Sequence, residues 1–71
     1  MKTVNKYIIF DPECYICTLY TSLAYNEDHV RELAAEAGID LTGLEIELER
    51  KDVRDQLRRP YAPNIIDAVV R

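Results

Sequence analysis

The sequence predicts a small layered α/β domain, and three features of the residue pattern carry that expectation. Apolar runs of strand length recur along the chain, a long stretch between the first two has helical spacing, and Gly, Pro and Asp mark the changes of period. Strands alternating with helices imply crossover connections and a parallel or mixed sheet. The 71 residues form one domain, 1–71. Chains of this size bury only about 60% of the surface exposed on unfolding, so the core is small.

Taken in order, Tyr7-Ile8-Ile9-Phe10 is a compact apolar run that Asp11 and Pro12 stop, as expected of a short, fully buried strand in a parallel or mixed sheet. From Tyr15 to Ala37 the apolar residues Ile16, Leu19/Tyr20, Leu23, Val30, Leu33/Ala34 and Ala37 recur at steps of three and four, which predicts helix. Asn26 followed by Glu27 and Asp28 has the character of an N-cap with an acidic first turn. The stretch is therefore either one long helix or two with a break near Tyr25-Asn26. Gly38 closes it as a C-cap.

Leu44, Ile46 and Leu48 alternate with Glu45, Glu47 and Glu49, which predicts a half-buried strand with a solvated acidic face. Asp52 to Arg59 reads as a short helix capped by Asp52, apolar only at Val53 and Leu57 and ended by Pro60. Tyr61-Ala62-Pro63 is a turn. Residues 64–70 suit a strand or a helix equally well, because Ile65, Ile66, Val69 and Val70 fit both periods.

Composition narrows the function classes. Hydrophobic residues make up 48% of the chain, unlike a disordered segment, and the net charge is -4 with a pI near 4.8. The basic cluster Arg50, Lys51, Arg54, Arg58 and Arg59 is diluted by Glu49, Asp52 and Asp55 and reads as a solvated face. Nucleic acid is therefore not the expected partner. No apolar run nears the roughly 18 residues of a membrane span, and the run after Lys6 is too short for a signal-peptide core. The expected compartment is the reducing cytoplasm, with no membrane partner.

The two cysteines carry the chemistry. Cys14 and Cys17 are three apart, where the predicted strand gives way to the predicted helix. That spacing lets the sulfurs meet across one turn. Unpaired backbone N–H groups at a helix start would favour thiolate, making Cys14 the nucleophile and Cys17 the resolving thiol. Asp11 and Glu13 act against this by placing negative charge beside Cys14. His29, the single histidine, is expected as a solvent-facing helix residue. An inert cysteine pair and a zinc site are the other readings, although a structural zinc wants four ligands and the chain has two cysteines and one histidine. No metal or cofactor is expected.

The segment from Tyr7 to Cys17 resembles the first strand and active-site loop of glutaredoxins and small thioredoxin-like oxidoreductases. Ala62-Pro63-Asn64-Ile65-Ile66 stands where that family has a cis-proline before a later strand. The resemblance implies a minimal thioredoxin-like β-α-β-α-β fold lacking the final strand and helix, with Pro63 in the cis form facing the cysteines. It further implies Tyr15, Tyr61 and Pro63 as the substrate-docking surface. Tyr15-Ile16 departs from the Pro-Tyr or Gly-Pro usual between the cysteines, and the Gly-Gly turn that helps hold glutathione has no counterpart.

The expected function is thus a dithiol thiol–disulfide oxidoreductase acting on protein disulfides. Its rival is a non-catalytic interaction protein that binds and modulates a larger protein. In either case a sheet edge is left uncovered, and a partner chain or a second copy in a homodimer would fill it.

Overall fold

The computed structural model describes residues 3–14 and 17–68. They form a four-stranded antiparallel sheet with one helix on one face. In chain order the elements are β1 (Val4–Phe10), β2 (Thr18–Ala24), α1 (Glu27–Glu36), β3 (Glu45–Val53) and β4 (Asn64–Asp67). The strand order is β3-β1-β2-β4, and every neighbouring pair is antiparallel. This corrects the β-α-β-α-β thioredoxin-like expectation: the helix after the cysteines is a strand, and so is the start of the last predicted helix.

The first correction has a local cause. Thr18-Leu19-Tyr20-Thr21-Ser22-Leu23-Ala24 carries the β-branched Thr18 and Thr21 and the aromatic Tyr20, which suit a strand, although its apolar residues Leu19, Tyr20, Leu23 and Ala24 keep a helical spacing. Folding back on β1 supplies the partner that decides the matter. Tyr7 faces Ser22, Ile8 faces Thr21, and Ile9 faces Tyr20, with a bulge between Ile9 and Phe10. Ser22 is buried, and its hydroxyl donates to the Asn64 carbonyl at 2.8 Å, tying β2 to the start of β4.

Helix α1 keeps the predicted caps. Asn26 Oδ1 accepts from the His29 amide at 2.8 Å, and Arg31 pairs with Asp28 at 3.1 Å and Glu27 at 3.6 Å. At the other end Gly38 adopts φ 73°, its amide donates to the Ala35 carbonyl, and the Ile39 amide donates to that of Ala34. This is a Schellman closure, and the left-handed position is the reason for glycine there. The helix turns Val30 and Ala34 onto the sheet. Ile9, Tyr7, Ala24 and Val30 form the buried core, with Tyr20, Leu33, Leu41, Leu44, Ile46 and Ile65 packed around them.

The strand predicted from Leu44, Ile46 and Leu48 is present, but β3 runs further, to Val53. That corrects the short helix over 52–59. A segment of eight residues with two apolar side chains has too little to bury for a stable helix. Asp52 takes φ 54° instead, and its carboxylate accepts from the Thr3 hydroxyl. Asp55 then organises a tight turn: Oδ1 accepts from the Leu57 and Arg59 amides at 2.9 and 3.0 Å, and Arg54 bridges to Pro60. The connection carries the chain from the β3 edge to the opposite edge, where residues 64–67 prove to be strand. No peptide bond among the described residues is cis, so Ala62–Pro63 is trans, contrary to expectation. Among the described residues no helix is long and apolar enough to cross a membrane.

Two outcomes are expected. Asn26→Ala should lower stability by about 1 kcal/mol in urea unfolding, the usual cost of an N-cap oxygen. The hydrogen bond from the Arg59 amide is the main reason that Asp55 holds its carboxyl below the ordinary aspartate range. A depressed carboxyl stabilises the fold at pH above that range and loses the contribution as pH falls through its folded value. The Leu57 and Arg59 amide resonances should therefore shift together on acidification, below the point at which unfolded aspartates titrate.

Candidate functional site at the hairpin tip

Cys14 and Cys17 lie in the loop joining β1 to β2, at the tip of a β-hairpin. The loop is built from the backbone outward. Asp11 Oδ1 accepts from the Glu13 amide at 2.9 Å, an Asx turn that reverses the chain after Phe10. The Cys14 amide donates to the Asp11 carbonyl at 2.9 Å, the Cys17 amide to the Cys14 carbonyl at 3.1 Å, and the Asp11 amide to the Cys17 carbonyl at 3.4 Å. Both cysteines are half-buried and joined as a disulfide, with their Cα atoms 5.3 Å apart. The sulfurs therefore meet, as their spacing suggested. Tyr15 and Ile16, between them, lie outside the described residues, and with them the docking role expected of Tyr15.

The electrostatic setting differs from expectation. The cysteines are not at a strand-to-helix corner: α1 begins beyond the far end of β2, a strand length of about 20 Å from the tip. Among the described residues no helix N-terminus lies at Cys14. The chain has no Lys or Arg from Tyr7 to Val30, whereas Asp11 and Glu13 lie in the loop and Glu45 opposes Phe10 at its base. A thiolate here would sit in a negative field, which favours the thiol form and the closed disulfide.

Tyr61 and Pro63 are not brought to the cysteines. Pro63 precedes Asn64, which pairs with Leu23 at the end of β2 remote from the tip, and Tyr61 lies two residues earlier at 46% exposure. Tyr61 and Pro63, two of the three expected docking residues, therefore lie away from the sulfurs. His29 is half-buried rather than projecting into solvent. Its ring stacks on Tyr25 with centroids 5.0 Å apart, and Nδ1 accepts from the Tyr25 amide at 3.2 Å.

Beside the tip the structure opens a cleft of about 350 Å³ lined by Phe10, Asp11, Pro12, Glu45 and Glu47. It lies on the face of the sheet that α1 leaves bare. Cross-strand pairing sets its contents: Phe10 opposes Glu45, and Ile8 opposes Glu47 on one side and Thr21 on the other. Among the described residues no Asp11, Glu45 or Glu47 carboxylate makes an ion pair, whereas Glu49 meets Lys6 at 3.2 Å. Nor does any group of three His, Cys, Asp or Glu among them converge closely enough to hold a metal ion. Sequence reading treated the three glutamates alike, as a solvated face, and missed the cleft. Only the register of β1 against β3 reveals it.

Replacing both Cys14 and Cys17 with serine should lower stability by about 2 kcal/mol, the loop-closure contribution of so short a ring. In the reduced protein, Cys14 should be alkylated at neutral pH no faster than free cysteine, because the neighbouring carboxylates disfavour the thiolate. Alkylation much faster than that of free cysteine would show an activating group that the negative field does not provide.

The chain matches no protein-family model, no curated protein and no solved structure.

Proposed function

We propose that the protein is a non-catalytic interaction module that binds and modulates a larger protein through the bare face of its sheet. One observation carries this reading. Helix α1 packs on the face bearing Tyr7 and Ile9, and the opposite face presents Ile8, Phe10, Thr21, Leu23 and Ile66 at adjoining positions. Ile66 is 56% exposed there. An antiparallel sheet with one solvated face ordinarily makes that face polar. An apolar centre rimmed by charge is instead the character of a binding surface. In this reading the Cys14–Cys17 disulfide is a clip that fixes the loop beside the face. The compartment we propose is the cytoplasm, where thiols are kept largely reduced, so recognition would not require the clip to be closed.

A second reading is thiol–disulfide exchange, favoured by the position of the half-buried pair in a loop beside an open cleft. Cys14 thiolate would attack a substrate disulfide and release one substrate thiolate. Cys17 thiolate would then attack the Cys14 sulfur, releasing the second and leaving the Cys14–Cys17 disulfide.

The two readings separate cleanly. Under the interaction reading, Ile66→Lys should abolish retention of the partner captured by cross-linking to the wild-type protein. Leu57→Lys, at an exposed position in the 54–63 connection, should leave retention intact, and so should Cys14→Ser with Cys17→Ser. If the wild-type protein reduces a protein disulfide catalytically, and Cys14→Ser removes both that turnover and partner retention, the exchange reading replaces it.

A further inference from the structure

Charge on this molecule is sorted along its length. It measures 37 × 23 × 21 Å, and the strands run from an acidic end to a mixed, arginine-bearing one. The hairpin tip and the start of β3 contribute Asp11, Glu13, Glu45 and Glu47 with no described Lys or Arg among them. Arg50, Lys51 and Arg54 stand at the far end of β3, and Lys6 there already neutralises Glu49. Among the described residues the carboxylates of Asp11, Glu13, Glu45 and Glu47 have no such partners.

The cleft by the tip concentrates that imbalance against apolar surface. Phe10 and Pro12 contribute ring and hydrocarbon, while Asp11, Glu45 and Glu47 contribute acceptors. We propose that this cleft receives an arginine side chain from a basic segment of the protein partner, a proposal that rests on the interaction reading and names the chemistry of its partner. Three properties select that occupant. The carboxylates do not converge on one point, so they suit a cation with spread-out donors better than a single ion. A guanidinium carries five N–H donors in a planar fork and stacks on an aromatic face, matching acceptors placed around a phenyl ring. Glu47, at the cleft's wall, stands in register with Ile8, Thr21 and Ile66 across the sheet, so the backbone that carries the arginine can lie along that row of the bare face.

A second copy of the chain could offer its own basic end to this cleft, but that contact is head-to-tail and would build open chains of molecules. Its signature is concentration-dependent growth, which the experiment reads directly.

The probe is a fluorescein-labelled hexapeptide with two arginines, alongside twins in which both are lysine or citrulline. Fluorescence anisotropy gives affinity, and amide shifts in the ¹⁵N-labelled protein give location. The arginine peptide should bind most tightly and move the Phe10, Asp11, Glu45 and Glu47 amides, and the citrulline twin should not bind. Glu45→Gln with Glu47→Gln should weaken binding by about tenfold or more, as expected for losing hydrogen bonds to a charged group. Glu27→Gln with Glu32→Gln removes the same charge from the helix, away from the cleft, and should change affinity little. Equal weakening by both pairs would reduce the effect to net charge and overturn the proposal. So would equal binding of the citrulline twin, or growth of assemblies with protein concentration that the Glu45/Glu47 pair abolishes. Circular dichroism of each variant confirms that it folds. Failure of the arginine probe while Ile66→Lys still abolishes partner retention would sink this inference alone and leave the interaction reading standing.

Discussion

The sheet is organised by β1, the one strand with β2 on one side and β3 on the other. Its pairing satisfies the backbone groups of a seven-residue segment in both directions while placing Ile9, completely buried, at the centre of the core. Burying a side chain of that size contributes about 2–3 kcal/mol, and in a chain this short few others are so enclosed. Both antiparallel partners take their register from β1. So do the two faces: odd-numbered residues turn Tyr7 and Ile9 to the helix, and even-numbered ones turn Ile8 and Phe10 away from it. The bare face, the cleft and the hairpin tip all follow from that alternation.

The cysteine loop illustrates how position changes the meaning of a motif. At a helix start, the same spacing would place backbone N–H groups around a thiolate. At a hairpin tip those groups turn inward to close the loop, and the charged side chains of the loop, Asp11 and Glu13, are carboxylates. The sulfurs can bond in either setting, but the chemistry available to them differs, because reactivity follows the local field rather than the separation in sequence.

Legibility from sequence followed the range of the interactions involved. The Asn26 cap, the Gly38 closure and a strand through Ile46 and Leu48 were readable, because each is decided within a few residues, whereas the run around Ile9 was read as fully buried and proves enclosed only at Tyr7 and Ile9. Thr18–Ala24 was not, since its apolar positions keep a helical spacing and the strand is decided by pairing with β1. The segment 52–59 failed for a related reason: a cap and two apolar residues look like a helix until one asks what it would pack against. The cysteine pair was found, but its surroundings were misassigned along with the strand that follows. The cleft could not be seen at all, because Phe10 and Glu45 are neighbours only across the sheet.

The shorter of the two edge strands adds a property of its own. Strand β4 is four residues long and hydrogen-bonded to β2 alone, whereas β1 is held on both sides. Opening energies should therefore fall from the middle of the sheet toward that margin, as they do wherever an element has few neighbours. Ile66 lies on this margin and Phe10 on β1, the strand paired on both sides. A ligand spanning the bare face would rest on a fixed anchor at one side and on a strand able to shift at the other. The surface could thus adjust its width without disturbing the loop at the tip.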